Sequence, residues 1–122
     1  MLLQGKTVLV VEPEAFSAYA LESQFRNMSA DNIILAKRVE EAMLVAAQEP
    51  RIDLAIVDCD QFGENGAWLA GYLRERGIKV VQTKRDAVTE KLIDGVDHER
   101  VSKPYFMIDI ERAVAAQYGR TI

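Results

Sequence analysis

The chain has 122 residues, of which 49% are hydrophobic and 28% charged, with a formal net charge of −4; this suits one globular domain, 1–122, around a single core and excludes the disordered and fibrous classes. Acidic and basic residues are interspersed, so the sequence offers no clustered basic face for a phosphate backbone and no direct nucleic-acid partner is expected. The lone cysteine, Cys59, cannot close an internal disulfide, no apolar run approaches the roughly 20 residues of a membrane span, and the start MLLQGK lacks an apolar signal core, so a cytoplasmic protein without a membrane partner is expected.

The first element is TVLVV at 7–11, an unbroken β-branched run that reads as a strand covered on both faces. It ends abruptly in Glu12-Pro13-Glu14. Pro13 suits the first turn of a helix, where its missing N–H costs nothing, and Ala18, Leu21, Phe25 and Met28 then recur at spacings that share one helical face. NIILA at 32–36 is the second strand, and Ala42, Val45 and Ala46 mark the next helix. LAIVD at 54–58 is the third strand, followed by a helical stripe of Leu69, Ala70 and Leu73. KVVQT at 79–83 is the fourth. A short helix from Asp86 to Ile93, closed by Gly95, leads to a weaker fifth strand, ERVS at 99–102, and a last helix carries Met107, Ile110, Val114 and Tyr118. Five strands alternating with five helices predict a three-layer (βα)5 α/β fold, flavodoxin-like, with a five-stranded parallel sheet and right-handed crossovers.

In such a sheet, chemistry collects at the carboxyl ends of the strands. Glu12 follows the first strand, Asp58 ends the third, Thr83 ends the fourth and Lys103 follows the fifth. Singly each is a commonplace strand terminus. Together they bring two carboxylates, a hydroxyl and an ammonium to one edge, a set able to hold a hard divalent cation through oxygen and to neutralise phosphoryl oxygens during transfer.

LLQGKTVLVVE at the start, DLAIVD around Asp58, GENG after it and SKPY around Lys103 together resemble the response-regulator receiver domains of two-component signalling, over essentially the whole length. The resemblance implies that Asp58 is a phosphoacceptor served by a histidine kinase or histidine phosphotransfer protein, that Thr83 and Lys103 contact the phosphoryl group, and that Lys103-Pro104 is cis. It also implies Mg2+ held by Glu12, Asp58 and the backbone carbonyl of Asp60, a downstream protein partner, and a homodimer face made by the fourth helix, fifth strand and fifth helix. No other cofactor and no separate enzymatic activity are implied.

Three departures set the chain apart. Receivers usually place a second carboxylate after the first strand, and here that position is Pro13, which weakens the cation site. A unit charge about 4 Å away is worth roughly 4 kcal/mol at a dielectric of about 20 before desolvation. The switch pairs Thr83 with Arg100, a guanidinium where an aromatic ring is usual and one that resists burial, and Lys84 follows Thr83 in place of a small residue. The rival expectation is therefore a pseudo-receiver: a binding module that is not phosphorylated and acts through protein contact or a small ligand such as a cyclic dinucleotide. His98 is read as a loop residue, Trp68 as packing, and Arg74 and Arg76 as solvated.

Overall fold

The structure, a computed structural model, describes residues 2–84, 100–102 and 107–119, with side chains for 2–83 and 110–119. Its elements are β1 (Thr7–Val11), α1 (Ala15–Asn27), β2 (Asn32–Ala36), α2 (Val39–Gln48), β3 (Leu54–Asp58), α3 (Glu64–Glu75), β4 (Lys79–Lys84), β5 (Arg100–Ser102) and α4 (Met107–Gln117). The helix expected over Asp86–Ile93 lies outside the described residues, so α4 is the last of the five helices read from the sequence. All strand pairings are parallel, and the sheet runs β2-β1-β3-β4-β5.

The period-2 alternation of each strand builds the three layers. Val8, Val10, Leu54, Ile56 and Val81 join Leu21, Phe25, Ile110 and Val114 in one core, between the sheet and α1 with α4. Leu9, Val11, Ala55, Val57 and Val80 join Ala42, Ala46, Leu69 and Leu73 in the second core, against α2 and α3. The central strands are therefore apolar on both faces. β2 is an edge strand, and Ile33, Ile34 and Leu35 are only half-buried in consequence.

Pro13 does not enter the first turn of α1. Glu14 is the N-cap, with extended backbone, and Pro13 precedes it. The other end of α1 turns sharply: the N–H of Ser29 donates to the carbonyl of Arg26, and that of Ala30 to the carbonyl of Phe25. This closing motif needs a left-handed residue, and Ser29 supplies it at φ 69°. Gly77 fills the same role after α3 at φ 85° without the Cβ penalty. Ser29→Gly should therefore raise unfolding stability by about 1 kcal/mol in a denaturant titration; an unchanged midpoint would show that the serine is not strained.

The opposite, amino edge of the sheet is held by polar groups. The N–H of Thr7 donates to Asp53 Oδ2 at 2.8 Å, and Arg51 Nε lies 3.1 Å from Asp53 Oδ1. The Tyr118 ring packs between the ammonium groups of Lys6 and Lys79, 5.1 and 5.3 Å from its centroid. Burial, and then the Asp53 carboxylate, push the Tyr118 hydroxyl up from 10.0 to about 12, with Arg51 pulling the other way. The folded protein thus holds that proton more tightly than the unfolded chain. Its contribution to stability is whole below pH 10.0 and is lost as pH rises through about 12. Tyr118→Phe should flatten this alkaline loss, measured by denaturant unfolding across the alkaline range, while keeping the ring between the lysines. An identical alkaline slope in the variant would assign the loss to another group.

Candidate functional site

The carboxyl edge of the sheet gathers three buried polar side chains among the described residues: Glu12, 2% exposed, and Asp58 and Thr83, each 1% exposed. Their convergence follows from register and alternation. Asp58 and Thr83 are direct partners across β3 and β4. Val11 pairs with Val57 across β1 and β3, which brings Glu12, the next residue, beside the end of β3. Asp58 continues the alternate set Leu54 and Ile56, Thr83 continues Val81, and Glu12 continues Val8 and Val10. All three sets belong to the core under α1 and α4, so the three polar side chains fall on the same side of the sheet.

Each carboxylate is tied to the backbone that follows it. Asp58 Oδ1 accepts from the N–H of Asp60 at 2.9 Å and from that of Gln61 at 3.4 Å. Glu12 Oε2 accepts from the N–H of Glu14 at 3.1 Å. Hydrogen bonds to charged acceptors are among the stronger ones, and they offset part of the cost of burying the carboxylates. The carboxylate of Glu14 faces the other way: the residue is exposed, and its Oε1 accepts from the Ser17 hydroxyl at 2.7 Å.

Two glycines of the GENG turn set the floor of the site. Gly63 caps α3 at φ 57°, a conformation in which a side chain is costly. Gly66 lets the first turn of α3 approach the strand end. A Cβ there would stand 3.1 Å from the Asp58 carbonyl oxygen, 3.1 Å from Phe62 Cβ and 3.2 Å from Cys59 Cα. The floor is also hydrogen-bonded: the N–H of Cys59 donates to the Thr83 carbonyl, Gln82 Nε2 lies 3.2 Å from Cys59 Sγ, and Arg74 Nη2 lies 3.3 Å from Gln82 Oε1. Sequence reasoning missed this buttress because Arg74 reads as a solvated helix residue. Arg76 is likewise engaged, donating to the Ala46 carbonyl at 3.3 Å and stacking on Tyr72. Trp68 is 55% exposed and stacks on Tyr72 rather than packing inward, because its neighbour Leu69 occupies the inward position.

Lys103, Pro104 and His98 lie outside the described residues. Arg100 is the first residue of β5 and pairs with Gln82, one position before Val101, the partner of Thr83; its side chain lies outside the described set. Asp60 stands in the loop after β3, half-buried.

The resemblance to receiver domains implies a magnesium ion. Such a cation demands near-octahedral oxygen coordination. Among the described residues no group of three Asp, Glu, His or Cys side chains is placed to hold a metal ion. Pro13 brings no donor, and Glu14 turns outward to Ser17. Among the described residues, side-chain donors alone do not complete the shell of such an ion.

A five-stranded parallel sheet in the order β2-β1-β3-β4-β5, with helices on both faces and an acidic and hydroxyl cluster at its carboxyl edge, is the receiver-type doubly wound architecture. Solved receiver domains superpose on it over nearly the whole chain. The receiver domain of the Erythrobacter litoralis PhyR response regulator matches with a TM-score of 0.78 at 17% identity, covering 97% of this chain and 93% of its own. A Francisella response-regulator receiver domain matches at 0.74 and 20%, covering 94% and 98%, and a receiver protein from Burkholderia phymatum at 0.74 and 21%, covering 95% and 97%. At these identities the likeness establishes the fold. No family model matches the sequence, and no curated protein matches it.

Proposed function

We propose that the chain is a single receiver module of two-component signalling, in which Asp58 accepts a phosphoryl group from a histidine kinase or histidine phosphotransfer protein. The observation that carries this is the burial of Asp58 at the end of β3, beside Thr83 in register and Glu12 at the end of β1, in a sheet of receiver topology. In the transfer, a carboxylate oxygen of Asp58 forms the new P–O bond as the donor's P–N bond breaks, and the bonding pair returns to the donor imidazole nitrogen. Thr83 supplies a hydroxyl and Lys103 an ammonium to the phosphoryl oxygens. The added charge, about −1.5 to −2 if phosphoserine is a guide, draws Thr83 and biases β4, β5 and the segment between them. Arg100, at the start of β5, makes that switch a charged one.

The module acts by changing protein contacts rather than by turning over a substrate, with a downstream protein as its target. Self-association through the face of β5, α4 and the helix read over Asp86–Ile93 is part of the same proposal. The buried thiol of Cys59, the single cysteine of the sequence, accords with a reducing cytoplasm; among the described residues no helix is long and apolar enough to cross a membrane.

One observation favours the second reading, a pseudo-receiver that binds partners without being phosphorylated: of the acids after β1, Glu12 holds the N-cap N–H of α1 and Glu14 turns outward to Ser17. Phosphoryl acceptance separates the two. A labile adduct on Asp58 establishes the first reading, and its absence with every donor leaves the second.

A further inference from the structure

We infer that the pocket around Asp58 takes up no divalent cation at millimolar concentration, because Glu12 is committed to the N–H that opens α1 and Pro13, the residue after it, brings no oxygen on its side chain. The inference rests on the receiver reading for its meaning, but cation uptake and phosphoryl acceptance are measured separately, so either can fail alone.

Three adjacent residues carry the argument. Glu12 is buried, and its Oε2 accepts the N–H of Glu14, the N-cap of α1, at 3.1 Å. To give that oxygen to a cation, Glu12 would have to release a backbone donor at a helix start, where donors already outnumber their partners. Pro13 has neither a side-chain donor nor an N–H and stands between two carboxylates that face different ways. Glu14, the remaining acid, is exposed and holds the Ser17 hydroxyl at 2.7 Å. Across the pocket, Asp58 Oδ1 already accepts the N–H groups of Asp60 and Gln61. Of the two acids, Glu12 holds the N-cap N–H of α1 and Glu14 holds a surface hydroxyl. Position 13 decides cation uptake, because it follows Glu12 directly after β1 and is the one residue of the three with no oxygen on its side chain.

The test titrates the full chain with Mn2+ and with Mg2+, following free Mn2+ by paramagnetic resonance and the backbone amides of residues 12–14 and 58–61 by NMR. The natural sequence should show no saturation through the millimolar range. Pro13→Asp should bind at least about tenfold more tightly, a change no smaller than loss of a supporting group around a metal usually produces, and the gain should vanish in Pro13→Asp with Asp58→Asn. Pro13→Glu serves as the second variant if Pro13→Asp does not fold, as judged by circular dichroism. Saturable uptake by the natural sequence that Asp58→Asn removes would overturn the inference. So would a folded position-13 acid that still takes up no ion, since position 13 would then not be what decides cation uptake.

Discussion

Incubated with acetyl phosphate or with a phosphorylated histidine-bearing partner, the chain should gain one phosphoryl group, and Asp58→Asn should gain none. The loss is complete rather than partial because the carboxylate oxygen is the nucleophile itself, and an amide oxygen cannot carry the acyl phosphate. Asparagine keeps an acceptor oxygen for the N–H groups of Asp60 and Gln61, so the variant should remain folded, with an unfolding midpoint close to that of the parent. Intact mass and sensitivity of the adduct to hydroxylamine are the readouts. Running the assay in magnesium and in chelator adds a second comparison, since a pocket that takes up no cation should give equal adduct in both. Adduct persisting on Asp58→Asn, or none on the natural sequence with any donor, ends the phosphoacceptor reading.

Gly66→Ala should destabilise the fold while Gly71→Ala, on the same helix, should stabilise it. Both changes remove the flexibility of glycine and gain up to about 1 kcal/mol in helix propensity. They differ in what the new methyl group meets. At position 71 nothing lies within 4 Å, whereas at 66 the Asp58 carbonyl oxygen, Phe62 Cβ and Cys59 Cα stand at 3.1, 3.1 and 3.2 Å. Two of those three atoms belong to backbone and cannot swing aside. Overpacking of this kind costs about 1–3 kcal/mol, so after the propensity gain the net loss at Gly66 should be up to about 2 kcal/mol in a denaturant titration. The methyl group also presses on the peptide that carries Asp58, so phosphoryl acceptance should slow in Gly66→Ala and stay unchanged in Gly71→Ala. Equal effects at both positions would show that the strand end tolerates displacement and that the close approach of α3 is not what positions the site.

Much of the fold was legible because the strands are short apolar runs with sharp ends. The first three strands begin and end where the β-branched runs do, and Ala18, Leu21, Phe25 and Met28 all lie in the core as their spacing requires. Glu12, Asp58 and Thr83 could be singled out because each interrupts such a run with a polar residue. What escaped the sequence depends on contacts between segments far apart in the chain. The Arg74, Gln82 and Cys59 chain joins α3, β4 and the loop after β3, and no local pattern marks it. Pro13 read as a first-turn residue, but Glu12 folds back onto the N–H of the N-cap Glu14 and α1 begins at Ala15, two residues beyond Pro13.

By itself the sequence determined the alternation of strand and helix, the two apolar faces of the central strands and the polar residue at each strand end, since these follow from side-chain size, branching and period. Only the tertiary structure decided that Asp58 and Thr83 are register partners with Glu12 alongside, that Gly66 is a point of contact and Gly71 is not, and that Glu12 holds the N–H that opens α1. The physical reason is that hydrophobic periodicity is a property of neighbours in the chain. Register, close approach and the choice of a carboxylate's partner are set by which strands lie side by side.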